Sequence, residues 1–296
     1  MAGISSIPRI FKRFISNGGD PEWWYQRVFV THMLGRLVRT LPDAPGYDSA
    51  TSVMNEDWDT LILLDACRAD YFEDMINTDQ FDEYNRVISQ GSHSSEWTRR
   101  NFQGKKFGDT VYVTGNLHTK IIADDSFHEI IEIRDGYDSD THPNASPQRI
   151  AAAARKAHKE YPQKRLIIHF MQPHSPLYDK PIEWDKKLST EEWWDAYRDS
   201  LDEVFDIALE LHEEFDGKTV ITADHGETHN RRLFGLFKIS NHPPKIRIPE
   251  LVEVPWAVLP GERRTINKGS VNRFEPDDNV EQSLRELGYL PPAESG

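Results

Sequence analysis

The feature that most restricts the fold of this chain is an alternation, from Trp58 onward, of short apolar runs with segments of helical periodicity. Thr60–Asp65 (TLILLD) reads as a fully buried strand, and residues 69–76 as the helix after it. Residues 110–114 (TVYVT), 165–171 (RLIIHFM), 218–223 (KTVITA) and 251–259 (LVEVPWAVL) read as four further strands. Residues 147–158, with an AAAA run, 191–215 and 277–287 read as helices, the last closing the chain. Strands separated by helices of this length imply βαβ units. The prediction is an α/β fold with a mostly parallel central sheet and helices on both faces.

At 296 residues the chain has room for one large α/β domain or two small ones. Its most apolar stretch, residues 61–64, is far short of the roughly 20 residues that span a bilayer. The opening MAGISSIPRIFKR lacks the apolar core and cleavage site of a secretory signal. A single cysteine, Cys67, excludes an internal disulfide and a multi-cysteine metal site. A cytoplasmic location is expected on these grounds.

The net charge of −14 argues against nucleic-acid binding, which needs a basic footprint. It fits either a salt-adapted host or an ordinary soluble surface. The first 45 residues differ: Arg9, Lys12, Arg13, Arg27, Arg36 and Arg39 stand against Asp20, Glu22 and Asp43, a net of +3. Apolar and basic residues mix there in IFKRFI and WWYQRVFVTHMLGRLVRTL. The favoured reading of residues 1–50 is a helical arm, packed on the catalytic domain, and a linker, with PDAPGYDSATS (42–52) leading into that domain over 51–296. A peripheral membrane or partner contact through residues 1–45 is the other reading.

Ligands of open α/β sheets gather outside the carboxyl ends of the strands. Asp65 ends one strand, His174 follows another in MQPHSP, and Asp224-His225-Gly226-Glu227 follows VITA. Aspartate and histidine suit Zn, Mn, Mg or Ca. Taken singly, a strand-end Asp is also a common helix cap, and DHGE could be a turn closed by Gly226.

In this order, LILLDACRAD (61–70), HFMQPHSPLY (169–178), TVITADHGE (219–227) and VPWAVLP (254–260) resemble the sulfatase-like branch of the alkaline phosphatase and sulfatase superfamily. The late LRELGYL (284–290) resembles the ending of many of its members. The resemblance covers roughly residues 58–290. It implies an alkaline phosphatase-like fold and one or two divalent metal ions held by Asp65, Asp224 and His225, with His242 of NHPPK reaching the same pocket. His174 would meet the leaving group or a second metal, with Glu227 and His229 close by. A phosphate or sulfate ester, small or linked to a glycan or lipid, would be the substrate.

The nucleophile departs from the sulfatase pattern. Cys67 lies in CRADY without the Pro of Cys-x-Pro-x-Arg, which disfavours formylglycine chemistry. GSHSSEWTRRNF (91–102) offers hydroxyls instead. Nucleophiles of the superfamily sit at a helix N-terminus, where free N–H groups favour an anion. Ser94, read as the N-cap of that helix, is the first choice, ahead of Thr98 and Ser95; a plain cap without chemistry is the bland alternative. Arg68, Arg99 and Arg100 would bind the substrate anion, together with His229. The implied reaction is metal-assisted attack by Ser94, protonation of the departing oxygen by His174 or His242, and release to water or an alcohol. The rival is a degenerate, non-catalytic member that binds a structural ion. A phosphoglycerate-mutase-like isomerase is weaker still, because 296 residues leave little room for its inserted domain.

Overall fold

The computed structural model describes residues 21–133, 145–174, 176, 187–239 and 241–271. Strands β1 (Thr60–Asp65), β2 (Glu83–Ile88), β3 (Phe107–Thr114), β4 (Phe127–Glu132), β5 (Arg165–Pro173) and β6 (Thr219–Thr222) belong to one sheet. β7 (Arg232–Leu233) and β8 (Phe237–Lys238) form a separate hairpin, and β9 (Glu253–Leu259) completes the sheet. Across the sheet the order is β2-β9-β6-β1-β5-β3-β4. β1 runs parallel to β5 and β6, and β3 to β4 and β5. β9 alone opposes the rest, pairing antiparallel with β6 and β2. The mostly parallel α/β sheet is as the alternation predicts.

Period-2 geometry divides the core between two faces. From β1, Ile62 and Leu64 join one buried cluster with Phe72, Ile150 and Leu201. These come from helices α1 (Ala69–Met75), α4 (Pro147–Glu160) and α5 (Thr190–Glu214). Leu61 and Leu63 join the opposite cluster with Trp97, Phe102 and Ala123, from α2 (Ser94–Phe102) and α3 (Leu117–Ala123). Local chemistry fixes the long helices. Ser146 caps α4 ahead of Pro147, and Ser189 and Glu192 close a reciprocal capping box on α5.

Two expectations need amendment. β2, β4 and α3 are additional elements. The expected strand over 251–259 is shorter: a proline-initiated turn of helix, α6 (Pro249–Val252), precedes β9. The expected helix over 277–287, and LRELGYL with it, lies outside the described residues.

The arm is helical in consecutive stretches, Pro21–Trp24, Tyr25–Leu34 and Gly35–Val38, the middle one π-wound. Val30, Leu34 and Val38 are buried in one cluster with Leu233, Ile239, Ile246, Ile248, Leu251 and Val252. The linker is tied down as well. Buried Arg247 donates to the carbonyls of Pro45, Gly46 and Ser89, and its guanidinium lies 4.2 Å from the Tyr47 ring centroid.

Candidate active site

Strand ends deliver the site. Asp65 closes β1, Asn116 follows β3, His169 lies within β5, and Asp224 and His225 follow β6. These strands are neighbours in the order β6-β1-β5-β3, so their carboxyl ends converge. Ala66, just after Asp65, adopts φ 58° and sends its N–H to Asp224 Oδ1 at 3.1 Å. A left-handed alanine is strained, and that strain sits where two carboxylates are brought together.

Asp65 and Asp224 are both buried. Asn116 Nδ2 donates to Asp65 Oδ2 at 2.8 Å, and the His225 backbone N–H donates to Asp224 Oδ1 at 2.9 Å. Asp65 Oδ1, Asp224 Oδ2 and His169 Nε2 are buried without any hydrogen-bond partner. His169 Nε2 lies 3.5 Å from Asp65 Oδ2 and 3.8 Å from Asp224 Oδ2. Buried carboxylate oxygens without donors are costly, and a cation between them removes the cost. The donor set therefore fits a divalent ion, with Asp65, His169 and Asp224 forming one compact group.

The imidazoles are oriented for the same task. His225 Nδ1 is 2.8 Å from the carbonyl oxygen of Gly226, which can only accept, so that nitrogen carries the proton. Its Nε2 is thereby a lone pair, 3.4 Å from Asp224 Oδ2 and 3.1 Å from Ser94 Oγ. This is how a metal-ligating histidine is normally held. His169 Nδ1 lies 2.9 Å from the Tyr112 hydroxyl; a proton donated there leaves its Nε2 free as well.

Ser94 Oγ is buried, 3.5 Å from Asp65 Oδ2. The expected capping role is corrected, because His93 is the N-cap. His93 has extended backbone, and its Nδ1 accepts the Ser95 N–H at 3.0 Å. The imidazole does what a Ser side chain was expected to do, and this frees the Ser94 hydroxyl to face the carboxylates. Ser95 Oγ stays by His93 Nδ1 at 3.0 Å. Thr98, one turn on, is fully buried, and its hydroxyl has no partner.

A second group stands beside the first. His174 Nδ1 is 3.3 Å from Glu227 Oε2, and His242 Nε2 is 3.8 Å from the same oxygen. His242 therefore groups with His174 and Glu227, not with Asp65 and Asp224 as expected, although its ring lies 4.4 Å from that of His225. Burial works to lower His174, but the bond to Glu227 and the charges of Asp65 and Asp224 prevail and raise it to about 9. Burial and the neighbouring imidazoles push His93 and His242 well below the usual histidine range. His93, His118, His174 and His242 are partly exposed, whereas Ser94, Asp65 and Asp224 are buried, so the histidines form the solvent side of the cluster.

The arginines expected to grip the anion lie elsewhere. Arg99 and Arg100 are exposed; five and six residues beyond Ser94 on a helix they point away from its face. Arg100 covers the Tyr47 ring at 3.8 Å and donates to Gln90. Arg68 forks onto Asp70 and donates to the Glu227 carbonyl at 3.3 Å, bracing the turn. His229 donates its N–H to Glu227 Oε1 and stacks on Trp193 at 4.1 Å.

No protein-family profile and no curated protein match the chain. Solved structures do. The C-terminal periplasmic domain of phosphoethanolamine transferase EptC from Campylobacter jejuni is 12% identical, with TM-score 0.45, over 67% of this chain and 77% of that one. A zinc complex of the corresponding Escherichia coli domain is 11% identical, with TM-score 0.41, over 67% and 72%. An alkaline phosphatase superfamily protein from Vibrio parahaemolyticus is 15% identical, with TM-score 0.42, over 86% and 73%. The expectation of a cytoplasmic location is corrected, since similar structures include periplasmic domains. Its premises were weak: a chain with one cysteine folds in either redox compartment. No described helix is long and apolar enough to cross a membrane.

Proposed function

We propose that this chain is a metal-dependent transferase or hydrolase that moves a phosphoryl group, or less favourably a sulfuryl group, through a covalent ester on Ser94. The observation that carries the reading is the Ser94 hydroxyl, buried at the start of α2 and 3.1 Å from a lone-pair imidazole nitrogen beside two partnerless carboxylate oxygens. Asp65, Asp224 and His225 would hold the ion, with His169 completing the group from β5. When bound, a divalent ion makes a nearby hydroxyl more acidic and stabilises negative charge on phosphoryl oxygens.

The chain's own residues supply the rest. Ser94 Oγ gives up its proton to water and forms the new bond to phosphorus in line with the departing oxygen. Asn116 holds the Asp65 carboxylate in place. His174, whose Nδ1 lies 3.3 Å from Glu227 Oε2, delivers a proton to the leaving oxygen as its bond to phosphorus breaks. His93, His118 and His242 line the approach as neutral donors. Water or an acceptor alcohol then takes the group from Ser94.

The test is bound metal together with turnover of an aryl phosphate and an aryl sulfate. Stoichiometric metal, turnover of the phosphate and a mass adduct on Ser94 are expected. Metal without turnover of either ester would instead favour a non-catalytic binding role.

A further inference from the structure

The exposed large apolar side chains of the described residues are not scattered. Trp24, Met33, Leu37 and Leu41 belong to the arm, and Phe234 and Leu236 to the turn of the β7–β8 hairpin. Met33 is 62% exposed, Leu37 51%, Phe234 52% and Leu236 72%. The two elements are packed together: the Phe29 and Phe237 rings are 5.3 Å apart, and Val30 and Leu34 share a buried cluster with Leu233 and Ile239. Exposed apolar side chains gathered on two elements that pack together mark an interaction site rather than an ordinary solvated face.

Charge identifies the partner. Arg36, Arg39, Arg232 and Lys238 are exposed on residues 21–41 and 231–238, stretches whose one acidic residue is Glu22, within a chain of net −14; Arg231 is paired with Glu250. Exposed Arg36 sits between Met33 and Leu37, while exposed Arg232 and Lys238 flank Phe234 and Leu236. Phe234 and Gly235 hold φ 53° and 72°, so the turn keeps a strained aromatic residue in water.

We propose that this face docks on an anionic lipid surface, with Met33, Leu37, Phe234 and Leu236 entering the headgroup boundary and the cations meeting the lipid phosphates. Apolar side chains on two elements, each edged by Arg or Lys, fit a fluid anionic surface, where apolar burial and attraction to headgroups add. The docking is independent of the metal chemistry and is read without it.

The experiment is co-sedimentation of the full chain with phosphatidylglycerol-containing vesicles and with pure phosphatidylcholine vesicles. Uptake by the anionic vesicles, reduced by salt, is expected. Leu37→Glu combined with Leu236→Glu is expected to weaken it by about tenfold or more, and Arg36→Glu combined with Arg232→Glu to do likewise, with circular dichroism and bound metal unchanged. No uptake by anionic vesicles, or uptake by both variants equal to that of the unaltered chain, overturns the proposal. So does uptake that disappears on deletion of residues 10–15 yet survives the two leucine changes. Self-association or capture of an acidic protein without vesicle uptake would overturn it too.

Discussion

At the residue scale the nucleophile assignment is open to a sharp comparison. Ser94 and Thr98 lie on one side of α2 a turn apart, but only the Ser94 hydroxyl meets Asp65 and His225. Ser94→Ala is expected to lower aryl phosphate turnover by several orders of magnitude while the melting temperature stays within a few degrees. Thr98→Val should do the opposite. Its buried hydroxyl has no partner, so exchange for a methyl group should raise stability by about 1 kcal/mol and leave turnover intact. A dead Thr98→Val enzyme beside an active Ser94→Ala would sink the assignment. Asp224→Ala is expected to abolish bound metal, read by elemental analysis, because it removes one of the partnerless oxygens. Asp65, Asp224 and His225 could be picked out because each ends or follows an apolar run. His169 could not: within RLIIHFM it reads as one more buried strand residue, and only the pairing of β5 with β1 and β3 brings it under the carboxylates. Asn116 left a fainter trace, a polar residue just past TVYVT. The capping of α2 was misread because Ser is the commoner cap, whereas here the preceding imidazole accepts the N–H.

At the element scale, what could be read follows position in the sheet. β1, β5, β3 and β6 are central, buried on both faces, and announce themselves as apolar runs. β2 (EYNRVI) and β4 (FHEIIE) are the two edges, largely exposed or half-buried, so neither carries a continuous apolar signal. The turn after β6 shows how tightly the site elements are fitted. Gly226 donates its N–H to the Leu251 carbonyl at 2.9 Å, and a Cβ on it would stand 2.2 Å from the Glu250 carbonyl oxygen. Both contacts are with the backbone of α6, which cannot swing aside as a side chain could. Gly226→Ala is therefore expected to cost about 1–3 kcal/mol of stability and, by displacing Asp224 and His225, to reduce bound metal. Thermal melts with elemental analysis check this; unchanged values in both would mean that α6 yields and the fit is loose.

At the scale of the whole molecule, the arm separates what sequence shows from what packing decides. Its basic and apolar composition set it apart from the acidic remainder, and that contrast suggested that residues 1–45 have a separate role and are dispensable for metal binding. The contrast reports surface character and says little about which side is buried. In the fold, Val30, Leu34 and Val38 cover Leu233, Ile239, Ile246, Leu251 and Val252, side chains of the very loop and helix that follow the Asp224 turn. Burying three aliphatic side chains contributes roughly 1.5–3 kcal/mol each, a large part of the 5–15 kcal/mol that typically holds a domain folded. The linker adds to this, because removing Pro45 and Gly46 would strip buried Arg247 of two acceptors. A chain beginning near Ser52 is thus expected to melt many degrees lower and to lose metal on purification, whereas one beginning at Pro21 should keep both. The distinguishing measurement is the melting temperature and metal content of the two truncations side by side. If the Ser52 chain matched the full one, the arm would be a true appendage, and the cluster it covers would have to be stable in water on its own.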